Sequence, residues 1–199
     1  MRIVIDGACG SGKTTFLLGQ GFGEKTCDLN IKNLGFTVIS DLLDDSFNEG
    51  LKKGILPPKS YENWNSLFRI ILRNGKLQYD LANNVDDEIV WYDRGVPYID
   101  VISRDESVPL ALDVETKIKK FRYDYVFVFS PVETFDLSNT VKGGFKHFTM
   151  EERLASFERT YEAYSKYYSA VYKVPMFSSD LIENFTERYQ FICSIINEL

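Results

Sequence analysis

Five short apolar runs recur along this 199-residue chain, and between them apolar positions fall at helical spacing. The β-rich runs are RIVID at 2–6, FTVIS at 36–40, EIVWY at 88–92, YDYVFVFS at 123–130 and KVPMF at 173–177. Runs of this length, bounded by Gly, Pro or Asp, read as buried strands. Between 58 and 84, Trp64, Leu67, Phe68, Ile71 and Leu72 sit at helical spacing. Residues 96–103 predict a helix with Pro97 in its first turn. Another helix is predicted to end over 116–121. The capping-box pattern Thr149-x-x-Glu152 opens a helix that is expected to run to about Ala170. Ser178 or Ser179 is expected to cap a last helix.

Strands separated by helices imply a parallel sheet with right-handed crossovers, hence a three-layer α/β architecture. Ligands of such sheets lie at the C-terminal ends of the strands. On that edge fall residues 6–14, Asp41, Asp93 and the stretch after Ser130. With no repeat, linker or low-complexity tract, residues 1–199 read as one domain.

The turn after the first run, Gly7-Ala8-Cys9-Gly10-Ser11-Gly12-Lys13-Thr14, matches the phosphate-loop pattern in full. Glycines let successive N–H groups converge on one centre and cradle phosphates. Gly7, Ala8, Cys9, Gly10, Ser11, Gly12, Lys13, Thr14 and Thr15 are therefore the expected nucleotide-binding residues. Lys13 can reach the β- and γ-phosphates of ATP or GTP, and the Thr14 hydroxyl can ligate Mg²⁺. Gly19, Gly21 and Gly23 follow closely, so the first helix is expected to be short. Residues 19–33 read as an insertion.

Four carboxylates bear on roles at the same edge. Asp93 ends the third run and precedes Arg94-Gly95. A strand-end carboxylate beside a phosphate loop is suited to hold Mg²⁺ with Thr14. Arg94 is a candidate for binding the acceptor or a phosphate. Asp41 directly follows the second run, placed to orient and deprotonate an acceptor hydroxyl. Asp44 and Asp45 read as solvated helix-start residues. Residues 131–153 form an irregular basic segment with Gly143-Gly144, Lys142, Lys146 and Arg153, read as a lid over the triphosphate. His147 is the single histidine and nothing pairs it with a nucleophile. Tyr161, Tyr164, Tyr167, Tyr168 and Tyr172 read as packing residues. Tyr61, Trp64 and Phe68 are candidates to wall an acceptor pocket.

Composition narrows the classes. A net charge of −6 argues against non-specific nucleic-acid binding, which needs clustered Lys and Arg. Cys9, Cys27 and Cys193 have neither metal nor redox spacing and read as reduced thiols. No apolar run approaches the roughly 18 residues that cross a bilayer, and the first run leads straight into the glycine loop, so a cytoplasmic location is expected.

IVIDGACGSGKTT, VISD, VWYDRGVPYIDVI and YDYVFVFSPVETF together resemble the AAA-type P-loop ATPase/nicotinamide-riboside kinase-like group, over nearly the whole chain. In layout the chain is also similar to deoxynucleoside and nucleoside monophosphate kinases. The resemblance implies a P-loop NTPase fold of kinase type, a five-stranded sheet in the order 2-3-1-4-5, and a helical lid. The group's carboxylate after the second strand is usually Glu, whereas Asp41 is one methylene shorter. Its lid usually carries an early Arg, where this chain has Lys142 or Lys146. A nucleoside-like small-molecule acceptor is what the resemblance implies. Two other uses of the same machinery stay open at this level. One is a kinase for a nucleic-acid hydroxyl, for which Lys52, Lys53, Lys59, Lys117, Lys119 and Lys120 could supply a basic track. The other is a non-kinase NTPase switch, disfavoured because Asp93 is followed by Arg94 rather than an acidic residue. A homodimer is left open.

Overall fold

A computed structural model describes residues 1–8, 10–19, 27–84, 87–132 and 149–197. Five strands, β1 (Arg2–Gly7), β2 (Thr37–Ile39), β3 (Val90–Asp93), β4 (Tyr125–Phe129) and β5 (Val171–Val174), form one sheet. Its order is β2-β3-β1-β4-β5, and every neighbouring pair is parallel. Parallel neighbours require crossovers. These are made by α1 (Lys13–Leu18), α2 (Leu42–Lys52), α3 (Tyr61–Ala82), α4 (Tyr98–Asp105), α5 (Leu112–Ile118) and α6 (Met150–Ser165), while α7 (Leu181–Ile196) follows the last strand.

The pleat divides the core in two. Successive side chains of a strand point to opposite faces. Val4, Tyr92, Val126 and Val128 accordingly meet Leu67, Phe68, Ile99, Phe157 and Tyr164 from α3, α4 and α6. Ile3, Ile5, Trp91, Phe127 and Phe129 instead meet Phe16, Leu17, Phe185 and Ile192 from α1 and α7. Both faces of the central strands are covered, which is why β1, β3 and β4 read as continuous apolar runs rather than alternating ones.

Several boundaries depart from expectation, three of them for a plain physical reason. The fifth strand is Val171–Val174, not 173–177, because Pro175 cannot continue the ladder. The helix opened by Thr149 ends at Ser165, short of Ala170, because Ala170 already belongs to the sheet edge, its carbonyl accepting from the Val126 N–H. The last helix is capped by Asp180, whose carboxylate accepts from the Ile182 and Glu183 N–H groups, rather than by Ser178 or Ser179. Ser178 instead turns its hydroxyl to Glu183. A carboxylate with two amides in reach is a stronger cap than a hydroxyl with one. The fourth helix begins at Tyr98, with Pro97 at its cap.

The part of residues 19–33 that is described folds back on α1. Gly19 ends α1 in the left-handed region and is rejoined by Cys27, whose N–H donates to the Gly19 carbonyl at 2.9 Å. Ile31 is fully buried, and its N–H bonds the Phe16 carbonyl. Asn30 ties the turn by donating to the Cys27 carbonyl at 2.9 Å. Among the described residues, no helix is long and apolar enough to cross a membrane.

Candidate functional site

The register of the sheet brings the chemistry together. Ile5 pairs with Asp93, and Gly7 pairs with Phe129, so β1, β3 and β4 deliver their C-terminal ends to one place. The loop leaving β1 makes three left-handed or otherwise positive-φ glycines, Gly7 (142°), Gly10 (71°) and Gly12 (80°). Gly7 has no alternative: a Cβ there would stand 2.3 Å from the Phe129 carbonyl oxygen. Two buried arginines hold the loop from outside it. Arg188 of α7 donates to the Ser11 carbonyl at 2.6 Å and to the Ser130 carbonyl at 3.2 Å, with its guanidinium 4.2 Å over the Phe129 ring. Arg153 of α6 donates to the Gly10 and Val132 carbonyls, both at 2.9 Å. Guanidinium groups are suited to this because they offer several N–H donors in a fixed plane.

Lys13 is buried, and its ammonium donates across the loop to the Ala8 carbonyl at 3.2 Å. Burial and the nearby Arg94 hold it below the usual lysine range, against the pull of Asp93, Asp6 and Asp41. The Thr14 hydroxyl donates to Asp93 Oδ2 at 3.1 Å. The other Asp93 oxygen, Oδ1, is buried with no hydrogen-bond partner among the described residues. Burial pushes the Asp93 carboxyl up to about 6; the attraction of Lys13 offsets part of that rise, and Asp41 adds to it. Ser11 Oγ is likewise buried without a partner. Thr15 continues α1, its carbonyl accepting from the Gly19 N–H.

Asp41 caps α2, with Oδ1 accepting from the Leu43 N–H at 2.8 Å. This fixes the carboxylate, leaving Oδ2 turned toward Arg94, whose Nε lies 3.1 Å away in an ion pair that lacks hydrogen-bond geometry. Arg94 itself has φ 69° and lies 4.3 Å over the Tyr98 ring. A non-glycine residue in the left-handed region is uncommon and costs of order 1 kcal/mol, so its surroundings must hold it there. Asp41, Asp93, Lys13 and Arg94, expected together on one edge, are thus one electrostatically coupled group.

Cys9, Lys142, Lys146 and His147 lie outside the described residues, as does most of the segment 131–153. Arg153, expected in that segment, stands at its end with its guanidinium on the loop backbone. Phe68 is buried and Trp64 partly so, their rings 5.8 Å apart, while Tyr61 is exposed. The lysines that could make a basic track lie at and beyond the C-terminal ends of α2 and α5, with Lys59 ahead of α3, and three are paired: Lys53 with Glu49, Lys117 with Asp113 and Lys119 with Glu115.

Three participants carried no signal in the sequence. Asp6 is fully buried at the base of the loop, accepting from the Gly7 N–H at 2.7 Å and from the Tyr164 hydroxyl at 2.6 Å. Tyr164 had been read only as packing. Arg188 lies on the last helix, 177 residues from its partner Ser11.

The fit to a nucleotide and a divalent cation can be judged on these atoms. An orphaned carboxylate oxygen and a hydroxyl beside it are hard oxygen donors of the kind Mg²⁺ takes. The glycine turn with Lys13 behind it is the arrangement that receives phosphates. Among known proteins, residues 2–181 match the AAA domain family, and the chain belongs to it. No curated protein matches. Among solved structures, the chain is similar to deoxyadenosine kinase from M. mycoides with bound dATP, with a TM-score of 0.56, 18% identity and complete coverage of both chains. At that identity the likeness concerns the fold alone, which is the P-loop NTPase fold of kinase type, with the sheet order that the resemblance implied.

Proposed function

We propose that this protein transfers the γ-phosphoryl group of ATP, or of GTP, to a hydroxyl of a small, nucleoside-like acceptor. The observation that carries the reading is the fixed Asp41 carboxylate, paired with Arg94 and coupled to Lys13 and Asp93. A site built only to hydrolyse a triphosphate needs no second carboxylate held by a helix cap across from the loop. A carboxylate there accepts a proton from a neutral hydroxyl and repels a phosphate dianion, which favours a nucleoside over a nucleotide acceptor.

The loop backbone and Lys13 hold the triphosphate. Thr14 and Asp93 would hold Mg²⁺, which would supply charge neutralisation of the phosphates. Asp41 orients the acceptor hydroxyl and takes its proton as that oxygen bonds the γ-phosphorus and the bond to the β–γ bridging oxygen breaks. Arg94 faces the charge that develops on the transferring group. Residues 1–199 act as one kinase domain, and the segment 131–153, with Lys142 and Lys146, acts as its lid. A nucleic-acid acceptor is disfavoured by the −6 net charge and by the acidic partners of Lys53, Lys117 and Lys119.

The test is an acceptor panel with γ-labelled ATP and Mg²⁺, comparing neutral nucleosides, nucleoside monophosphates and short oligonucleotides. Label on the nucleosides is the expected result. Label confined to monophosphates or to oligonucleotides would overturn the assignment of the acceptor.

A further inference from the structure

Two tyrosine hydroxyls and one carboxylate are buried beside the site without a part in the chemistry above. They converge on the turn that follows Asp93. Three successive amides of that turn are each held: Arg94 N–H by the Ile5 carbonyl at 3.0 Å, Gly95 N–H by the Tyr164 hydroxyl at 2.8 Å, and Val96 N–H by the Tyr123 hydroxyl at 3.3 Å. The fit is close. A Cβ on Gly95 would stand 3.1 Å from Tyr123 Cε2 and 3.2 Å from the Tyr164 oxygen.

A phenol has one proton and can accept as well. Tyr164 accepts from Gly95 and gives its proton to Asp6 Oδ2 at 2.6 Å, while the Gly95 carbonyl at 3.2 Å is the poorer acceptor. Asp6 Oδ1 accepts from Gly7, the first residue of the glycine turn. A continuous path therefore runs from the Gly95 amide through Tyr164 and Asp6 to the Gly7 amide. It joins the two walls of the site, and it comes from α6, which is not a strand-end element. All of it is buried.

We infer that Tyr164 is a positioning residue: with Tyr123 beside it, its hydroxyl holds the Asp93-Arg94-Gly95 turn at a fixed place relative to the phosphate loop through Asp6. The turn needs such a hold because Arg94 sits at φ 69°. Releasing the Gly95 amide lets the backbone relax, and both side chains that face the nucleotide, Asp93 and Arg94, move with it. Displacements of about 1 Å at reacting groups cost roughly 100-fold in rate. The inference rests on the roles proposed for Asp93 and Arg94.

The experiment uses the full chain and the variants Tyr164→Phe, Asp6→Asn, their double variant and Thr160→Val. Thr160 is buried on the same helix, but among the described residues its hydroxyl bonds only the Ser156 carbonyl. Affinity for a non-hydrolysable ATP analogue is measured without and with Mg²⁺, alongside kcat and KM for transfer. In Tyr164→Phe, Mg²⁺-free affinity stays within about 2-fold of wild type while kcat falls about 10- to 100-fold and KM for ATP stays within about 3-fold. The gain in affinity on adding Mg²⁺ shrinks by about 5-fold or more. The double variant is no worse than the poorer single one, since both cut one path. Thr160→Val follows wild type. Wild-type kcat and Mg²⁺ gain in Tyr164→Phe would overturn the inference. So would equal losses of Mg²⁺-free and Mg²⁺-dependent affinity that track a fall in melting temperature. A wild-type protein that labels no acceptor overturns the kinase reading alone, and the Mg²⁺ gain still decides for or against Tyr164.

Discussion

Replacing Asp93 by Asn should make the ligand-free protein more stable at neutral pH while abolishing its response to Mg²⁺. Asp93 is 2% exposed, and burial lifts its carboxyl from 3.8 to about 6. The folded state therefore binds more protons than the unfolded state between about pH 4 and 6, and stability falls with rising pH across that window. Above it the ionised carboxylate costs the fold about 3 kcal/mol, at 1.36 kcal/mol per unit. Asn keeps one oxygen for the Thr14 hydroxyl and cannot ionise. Its amide hydrogens take the place of the orphaned Oδ1 and give back about 1 kcal/mol if they find no acceptor. The net gain is about 2 kcal/mol at pH 8, or roughly 4–8 °C in Tm for a domain of this size. At pH 4 the folded Asp93 carboxyl is protonated, the gain disappears, and the amide cost leaves the variant less stable than wild type by up to about 1 kcal/mol. Chemical or thermal denaturation of both proteins at the two pH values measures this directly. A variant destabilised equally at pH 4 and pH 8 would show that the buried Asp93 charge does not cost the fold stability. With ATP present, Mg²⁺ should raise the Tm of wild type and leave that of the variant unchanged.

Other substitutions separate the loop from the acceptor side. Asp41→Asn should leave nucleotide affinity within about 2-fold but cut kcat about 10²- to 10⁴-fold, since the amide still caps α2 but cannot take a proton; equal losses in calorimetric binding and in transfer would reject its role. Gly7→Ala should cost more than about 3 kcal/mol, seen as aggregation or a large Tm drop, because its Cβ meets the Phe129 carbonyl at 2.3 Å. Arg188→Met keeps the stem but leaves the Ser11 and Ser130 carbonyls without its donors; a loss of about 2–4 kcal/mol with faster hydrogen exchange in the glycine loop is expected, and unchanged exchange would show that the arginine does not hold the loop.

How much of this was legible depended on the range of the interaction. The glycine turn, Lys13, Thr14 and the strand-end carboxylates were readable because each is defined by a few consecutive residues and by its place after an apolar run. The sheet order was reached by resemblance rather than by pattern, since β-propensity does not say which strands are neighbours. Asp6, Tyr164 and Arg188 were not readable. Tyr164 and Asp6 are 158 residues apart, and a tyrosine among four others at helical spacing carries no mark of the one that bonds a carboxylate. Arg188 looks like a surface arginine on an amphipathic helix until α7 is laid against the loop. The boundary errors have a local origin: SAVYKVP suits helix or strand, and only the β4 ladder and Pro175 decide it. The helix α2 was signalled by Asp44 and Asp45 as helix-start residues, whereas Asp41, the residue that caps it, carried no mark of that role.

A kinase and a hydrolase differ most directly in where the γ-phosphoryl group goes. Wild-type protein and Lys13→Ala are each incubated with γ-labelled ATP and Mg²⁺, with and without a nucleoside mixture, and label is partitioned between acceptor and free phosphate. Wild type should place label on a nucleoside hydroxyl and release little free phosphate without acceptor, and the Lys13 variant should yield neither labelled acceptor nor free phosphate. Free phosphate released at the same rate with or without acceptor, or transfer that survives loss of Lys13, would contradict the kinase reading.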